Sequence, residues 1–485
     1  MRSFTKKLRT ADRGQAIILI ALAMVGLVAF VGLMTDGGIL LIEYGKLKRG
    51  IDSAAIAASQ QFRRGFTGAD LSAAARNFLI LNESDSANIN IYRCIDVEPP
   101  ASPVSNGTLH TDGTIQDTDL CTTPRRKLVR VEATRTVQFG FLRVVGLNSW
   151  DISASSVGEA ASIDLVLVID TSTSMSYETG GSPNSPDSAL DDPSVCNYST
   201  TNPCQPLSDV KDVADQFMNT MYFPYDRVAV VTITGQTASG TRDHVTVLQL
   251  SDSETTVRAA IASLKVFEPP ACNWATSPAS PAFGPCLNYD AGGSFLGLDC
   301  PLFRDTGDPS SCNSSNIGGA LLRAAGEYGV NPVRVDSLWI TILLAGGPAN
   351  ATDSPSSSLL YGFCPPATWS SPTNPYCRDA DADTWRTSTL DPDYDADDYA
   401  RNQAEFVANP VTGQGVTVFT IGLGNLIQNA PKGDADAGEK LLEYIAETAG
   451  GTTANHGFYS YAPSTADLDD IFDAIAENIV TRIAR

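Results

Sequence analysis

Apolar and polar positions follow three different rhythms along this chain. From Ala16 to Met34 the residues "AIILIALAMVGLVAFVGLM" carry no charge. The run is about as long as the ~20 residues a helix needs to cross a bilayer core. Beyond it, Leu40, Tyr44, Leu47, Ile51, Ala55, Ala58 and Phe62 recur at steps of three and four, with polar residues between them. That spacing predicts one apolar stripe on a helix that ends at Gly65, packing either on its own module or against other subunits. "ADLSAAARNFLILN" predicts a second helix, while "KLVRVEATRTVQFGF" and "WDISASSVGEA" alternate as half-buried strands. Residues 66–160 therefore read as a small α+β module.

From Ile163 onward, short apolar runs alternate with amphipathic stretches. Predicted strands are Ile163–Asp170, Arg227–Thr234, Val245–Leu250, Leu338–Leu344, Val416–Ile421 and Gly457–Tyr461. Helical spacing joins Leu207, Val210, Val213, Ala214, Phe217 and Met221, and again Leu468, Ile471, Phe472, Ile475 and Ile479. Strands buried on both faces and alternating with helices predict an α/β fold with a doubly wound, mostly parallel six-stranded sheet. Three Ser/Pro/Gly/Cys-rich inserts, 177–205, 268–313 and 348–378, interrupt it.

Charge adds a direction to this pattern. Arg2, Lys6, Lys7, Arg9 and Arg13 precede the apolar run against one acid, Asp12. The positive-inside rule predicts a single-pass protein of the cytoplasmic membrane, its N-terminus in the cytoplasm and its C-terminal domain periplasmic or extracellular. A cleaved signal peptide would have a shorter apolar region and a small-x-small site after it. The expected organisation is a basic tail at 1–15, an anchor at 16–38, a stalk helix and module at 39–160, and the α/β domain at 162–485.

The 485 residues hold 33 basic and 55 acidic groups, a formal charge of −22. Phosphate backbones need a basic face, so nucleic acid is excluded as a partner, whereas hard cations suit an acidic chain. Three histidines, His110, His244 and His456, give little material for zinc or imidazole catalysis. All ten cysteines follow the apolar run: Cys94, Cys121, Cys196, Cys204, Cys272, Cys286, Cys300, Cys312, Cys364 and Cys377. They form no CxxC pair, and an even count beyond a membrane span predicts disulfides. Neighbours within one loop are the expected partners, although spacing alone leaves connectivity open.

The chemistry concentrates in "VIDTSTSMS", residues 168–176. A buried strand ends on Asp170, with Ser172 and Ser174 at alternate positions after it. In open α/β sheets, ligands bind beyond the carboxyl ends of the strands, and one carboxylate with two hydroxyls suits an oxygen-loving cation. A phosphoryl-transfer aspartate would have a second acid where Ser172 stands. A serine nucleophile would need a base and a GxSxG elbow, which is missing. A loop that only caps the next helix has the same composition.

Two resemblances extend the picture. "LVLVIDTSTSMS" is similar to the first strand and D-x-S-x-S metal motif of the von Willebrand factor A domain, and "DRVAVVTIT" resembles its second strand. "SNIGGAL", residues 315–321, resembles the T-N-I-G-x-A-L loop, with Ser315 in place of the ligating Thr. The likeness covers about residues 162–485. It implies a metal-ion-dependent adhesion site of Asp170, Ser172, Ser174 and Ser315, holding Mg²⁺ (or Mn²⁺ or Ca²⁺). Where that family carries T-D-G, this chain reads "LLAGG", so Gly346 stands at the position of the missing acidic ligand. Asp379, Asp381 or Asp383 could compensate. The segment from Arg13 to about residue 60 looks like the N-terminus of TadE/TadG-like Flp pilus-assembly proteins. Arg13-Gly14 resembles a prepilin peptidase site, but Leu19 occupies the position of the prepilin Glu, so the anchor is expected to remain uncleaved.

Together these imply a non-enzymatic, membrane-anchored binding protein of pilus assembly or adhesion. Its partners would be pilus subunits, assembly proteins or an extracellular protein ligand. The alternatives are a metal-independent scaffold or minor pilin-like component and, further off, a membrane-anchored hydrolase.

Overall fold

The computed structural model describes residues 12–62, 65–84, 88–95, 104–180, 189–234, 245–272, 286–299, 315–330, 332–353, 396–430, 435–451 and 456–483. The chain divides into two compact units, Met1–Ala160 and Ala161–Arg485. Cys300, Cys312, Cys364, Cys377, Asp379, Asp381 and Asp383 lie outside the described residues, as do His244 and most of the second and third inserts.

In the first unit, helix α1 runs unbroken from Asp12 to Gln60 and is long and apolar enough to cross a membrane. Its first half is exposed and apolar, whereas Leu47, Ile51, Ala55, Ala58 and Phe62 are buried. The lower part of the stripe thus packs within its own module, against helix α2 (Gly68–Leu81) and a four-stranded sheet. A capping box between Thr67 and Asp70 starts α2. The sheet comprises β1 (Asn88–Arg93), β2 (Ile115–Gln116), β3 (Lys127–Gln138) and β4 (Ser149–Ala160), in the order β2-β1-β3-β4. β3 alternates buried and half-buried residues, as its sequence predicts. β4 approaches α1 so closely at Gly158 that a Cβ there would lie 2.1 Å from the Ala55 carbonyl oxygen, which only glycine permits. Cys94–Cys121 closes the end of the sheet away from the β3–β4 turn.

In the second unit the main sheet holds six strands. They are β5 (Ile163–Ile169), β6 (Arg227–Thr232), β7 (Val245–Ser251), β10 (Leu338–Ala345), β11 (Thr417–Leu423) and β12 (Tyr459–Ala462). A separate hairpin pairs β8 (Cys286–Tyr289) with β9 (Phe295–Asp299). The helices are α3 (Pro193–Cys196), α4 (Leu207–Phe217), α5 (Glu254–Ala262), α6 (Ile317–Tyr328), α7 (Ala396–Ala408), α8 (Ala437–Glu443) and α9 (Leu468–Ile483). Strand order is β12-β11-β10-β5-β6-β7. Neighbours from β12 to β6 run parallel, and β7 pairs antiparallel with β6, so the sheet is mixed and its antiparallel strand is an edge.

β5 is buried on both faces, which explains its unbroken apolar sequence. Leu165, Leu167 and Ile169 join a core with α4, α5 and α9, while Val166 and Val168 join another with α6, α7 and α8. From β5 the chain moves outward to β6 and β7, then returns to the other side of β5 as β10. The strand order reverses between β5 and β10, and that crevice is where an open α/β sheet binds ligands.

Candidate metal centre at the strand-order reversal

Asp170 follows the last residue of β5, and Gly346 follows the last residue of β10. The backbone of Asp170 donates to the Leu344 carbonyl at 3.0 Å, extending the β5–β10 pairing to the site. Its carboxylate accepts two backbone hydrogen bonds, from Gly346 N to Oδ2 at 2.9 Å and from Ser172 N to Oδ1 at 2.8 Å. Ser172 Oγ and Ser174 Oγ lie 2.8 Å apart and hydrogen-bond each other. The chain after Asp170 turns into a short 3₁₀ segment, Thr173–Ser176, which brings these two hydroxyls together.

Asp170 is fully excluded from solvent. Burial pushes its carboxyl above the ordinary carboxylate value, and hydrogen bonds from the Gly346 N–H and from the N–H and hydroxyl of Ser172 only partly offset this. Among the described residues no Lys, Arg or His pairs with it. Burying an ionised carboxylate without a counter-charge is costly. A bound cation would supply the missing positive charge, and the donors beside Asp170 are oxygens of the kind a hard cation takes. The residues present therefore fit a divalent ion, with a single carboxylate in the set. Among the described residues no cluster of three His, Cys, Asp or Glu occurs.

Gly346 faces this centre. A Cβ at that position would lie 3.2 Å from Met175 Sδ, 3.5 Å from Asp170 Oδ2 and 3.6 Å from Ser174 Oγ. A side chain at this position would thus project beside the carboxylate. Ser315 is tied to the chain that follows β10: its N–H donates to Asn350 Oδ1 at 2.9 Å, and Asn350 N–H donates to the Ser315 carbonyl at 3.1 Å. Ser315 is buried just before α6, whose N-terminus Asn316 caps through Gly319 N–H at 2.8 Å. Asn316 Nδ2 also donates to Asp353 Oδ1 at 2.5 Å, and the Tyr399 hydroxyl donates to Asp353 Oδ2 at 3.1 Å.

The two threonines of the 168–176 motif lie outside this set. Thr171 Oγ1 donates to the Thr234 carbonyl at 3.0 Å, tying the loop to the chain after β6. Thr173 Oγ1 is buried and has no partner among the described residues. Asn350 and Asp353 fall within what the composition marks as an insert beginning at residue 348. The structure instead buries 349–352, shortly after β10. Only their position after the β10 loop could have flagged them.

No family model matches this chain, and no curated protein matches it either. Solved structures do. PilB, a minor pilin from Streptococcus sanguinis, shares 13% identity over 74% of this chain and 76% of its own, at a TM-score of 0.36. The pilus adhesin RrgA from Streptococcus pneumoniae shares 12% over 73% of this chain and 47% of its own, at 0.35. The SpRpn10 VWA domain shares 9% over 64% of this chain and 94% of its own, at 0.30. The chain spans about half the length, 47% and 49%, of the mussel-byssus proximal thread matrix protein 1 structures it also matches. With scores this low, function has to be argued from this chain's own residues.

Proposed function

We propose that this chain is a membrane-anchored, surface-facing binding protein of TadG-like pilus assembly or adhesion, whose second unit is a von Willebrand A-type domain with a partly degenerate cation site. The observation that carries the reading is Asp170: a solvent-excluded carboxylate with no cationic partner among the described residues, at the strand-order reversal, beside two converging hydroxyls. In this reading Asp170, Ser172, Ser174 and Ser315 hold Mg²⁺ or Mn²⁺, and the ion supplies an electrophilic point for an acidic group of the partner. Gly346 leaves more of the ion's charge to be neutralised by that group. The apolar half of α1 fits the membrane anchor.

Binding is favoured over catalysis because the hydroxyls of Ser172 and Ser174 bond each other and Ser172 also bonds the Asp170 carboxylate, so both face the proposed cation set, and among the described residues no His or Lys stands beside them as a base. A metal-independent scaffold is the second reading, favoured by the two backbone N–H groups that already satisfy Asp170. Cells carrying Asp170→Ala in place of the wild-type chain should lose pilus assembly or surface adhesion while the protein still reaches the membrane. Unchanged assembly and adhesion would rule out the cation reading and leave the scaffold. Removing the pilus subunits then separates the two roles, since an adhesin would still bind its target.

A further inference from the structure

We propose that the turn between β3 and β4, residues 139–148, with the start of β4, is a second membrane contact whose apolar tip enters the bilayer beside α1. The inference rests on α1 crossing the membrane, as proposed above. It concerns the first unit alone.

The turn reads "FGFLRVVGLN", followed by Ser149 and Trp150 of β4. Phe141, Val144, Leu147 and Trp150 are 48%, 89%, 52% and 59% exposed, an unusual set for a hairpin tip facing water. Their place along α1 decides what covers them. A Cβ on Gly32 would lie 2.8 Å from Phe141 Cβ, so the turn packs against the apolar run itself. Among the described side chains of α1, the first ion-paired level comes later, where Glu43 meets Arg135 at 3.0 Å and Lys46 at 3.6 Å. Eleven residues of helix separate Gly32 from Glu43, about 16 Å at 1.5 Å per residue. Between the two levels α1 shows Ile39, Leu41 and Ile42 to the outside, so the apolar surface of helix and turn is continuous.

The backbone is prepared for an environment without water. Asp36 accepts the N–H groups of Gly140 at 2.9 Å, Phe141 at 2.9 Å and Leu142 at 2.6 Å. The N–H of Phe139 goes to the Asn148 carbonyl, and those of Val144, Gly146 and Leu147 turn back to the carbonyls of residues 141–143. Internal satisfaction of backbone donors is what lipid demands and water does not. Asp36 gains as much as it gives: a carboxylate at the edge of an apolar span is costly unless donors surround it. Arg143, the one charge in the turn, bends back to Gln138 Oε1 at 3.0 Å, toward the polar end. Trp150 sits where β4 begins, a position that suits an aromatic ring at the headgroup level. The turn and helix together would fix the orientation of the module at the bilayer surface.

The test uses the full chain reconstituted into phosphatidylcholine vesicles with or without brominated acyl chains, in a Trp150→Phe background. Val144→Trp and Leu147→Trp report on the tip. Leu109→Trp reports on the far end, since Leu109 bridges to Ile115 beside Tyr92 and Arg130, eight strand residues or about 26 Å from Gln138. With the chain co-floating with vesicles, the emission added at 144 and 147 should be quenched by bromolipid at least twofold more than that added at 109. Co-flotation with equal quenching at all three sites overturns the proposal and leaves the anchor intact. Failure to co-float overturns the anchor reading, and the proposal with it.

Discussion

Asp164 on β5 and Asp170 just past its end lie six residues apart, both fully buried, yet among the described residues only Asp164 has arginine partners. Asp164 is held by Arg227, with Nη2 to Oδ2 at 2.6 Å and Nε to Oδ1 at 2.9 Å, and by Arg334. One strand thus carries a satisfied carboxylate at its start and an uncompensated one past its end. The first is a structural device, and the second is the carboxylate on which the proposed cation site rests.

The pH dependence of stability should expose the structural aspartate. Burial pushes the Asp164 carboxyl up, but hydrogen bonds and charge from Arg227 and Arg334 outweigh it and hold the group below its ordinary value. A depressed native value means the stabilisation is complete above the unfolded value of about 3.9 and is lost as pH falls through the native one. Asp164→Asn should cost about 3–5 kcal/mol at neutral pH, because two buried arginines lose their partner. Urea titrations from neutrality to about pH 2 should show the gap between wild type and variant shrinking as the solution is acidified.

Gly346→Asp should restore the missing ligand. Its side chain would start 3.5 Å from Asp170 Oδ2, so in chelator the variant should be less stable than wild type through carboxylate repulsion. With Mg²⁺ the order should reverse, and affinity should tighten by roughly tenfold, about 1.4 kcal/mol. Thermal melts with and without the ion measure both effects.

Asn350→Ala should loosen the site without touching a proposed ligand side chain. It removes the acceptor of the Ser315 N–H, a buried bond whose loss costs about 1–3 kcal/mol. If Ser315 is held in the site by Asn350, a double-mutant cycle with Ser315→Ala should show coupling in Mg²⁺ affinity. Additive effects would detach Ser315 from the centre.

The Cys196–Cys204 disulfide, eight residues apart, braces the first insert next to the motif. Ser176 Oγ is bonded to the Asp191 carbonyl at 2.6 Å, and Gly180 N–H to the Asp191 carboxylate, so insert and motif move together. Replacing both cysteines with serine should cost about 2–3 kcal/mol by loop-closure entropy. It should also weaken cation binding, which calorimetry on the double variant checks.

Much of the α/β unit is legible because its strands are buried on both faces and leave unbroken apolar runs, as in Ile163–Ile169. β3 and β4 are legible for the opposite reason, since one face is wet and their residues alternate. Other elements give no such signal. α7 begins "ADDYAR", and its buried Asp397 pairs with Arg401 one turn on, so a helix packed against the core reads as a polar stretch. β2 has two residues, too few for any period. In the site, Asp170, Ser172 and Ser174 stand in one continuous motif, whereas Asn350 acts through a backbone bond to a residue 35 positions away. Sequence spacing carries no trace of that contact. The arginines facing Asp164 are hidden in the same way, 63 and 170 residues downstream.

Calorimetric titration of the full chain with Mg²⁺ and with Mn²⁺ tests the central claim most directly. The account predicts one-to-one binding that is strongly weakened or abolished in Asp170→Ala, with an accompanying rise in melting temperature for wild type only. No heat with either ion, together with an Asp170→Ala protein as stable as wild type in both chelator and Mg²⁺, would contradict it.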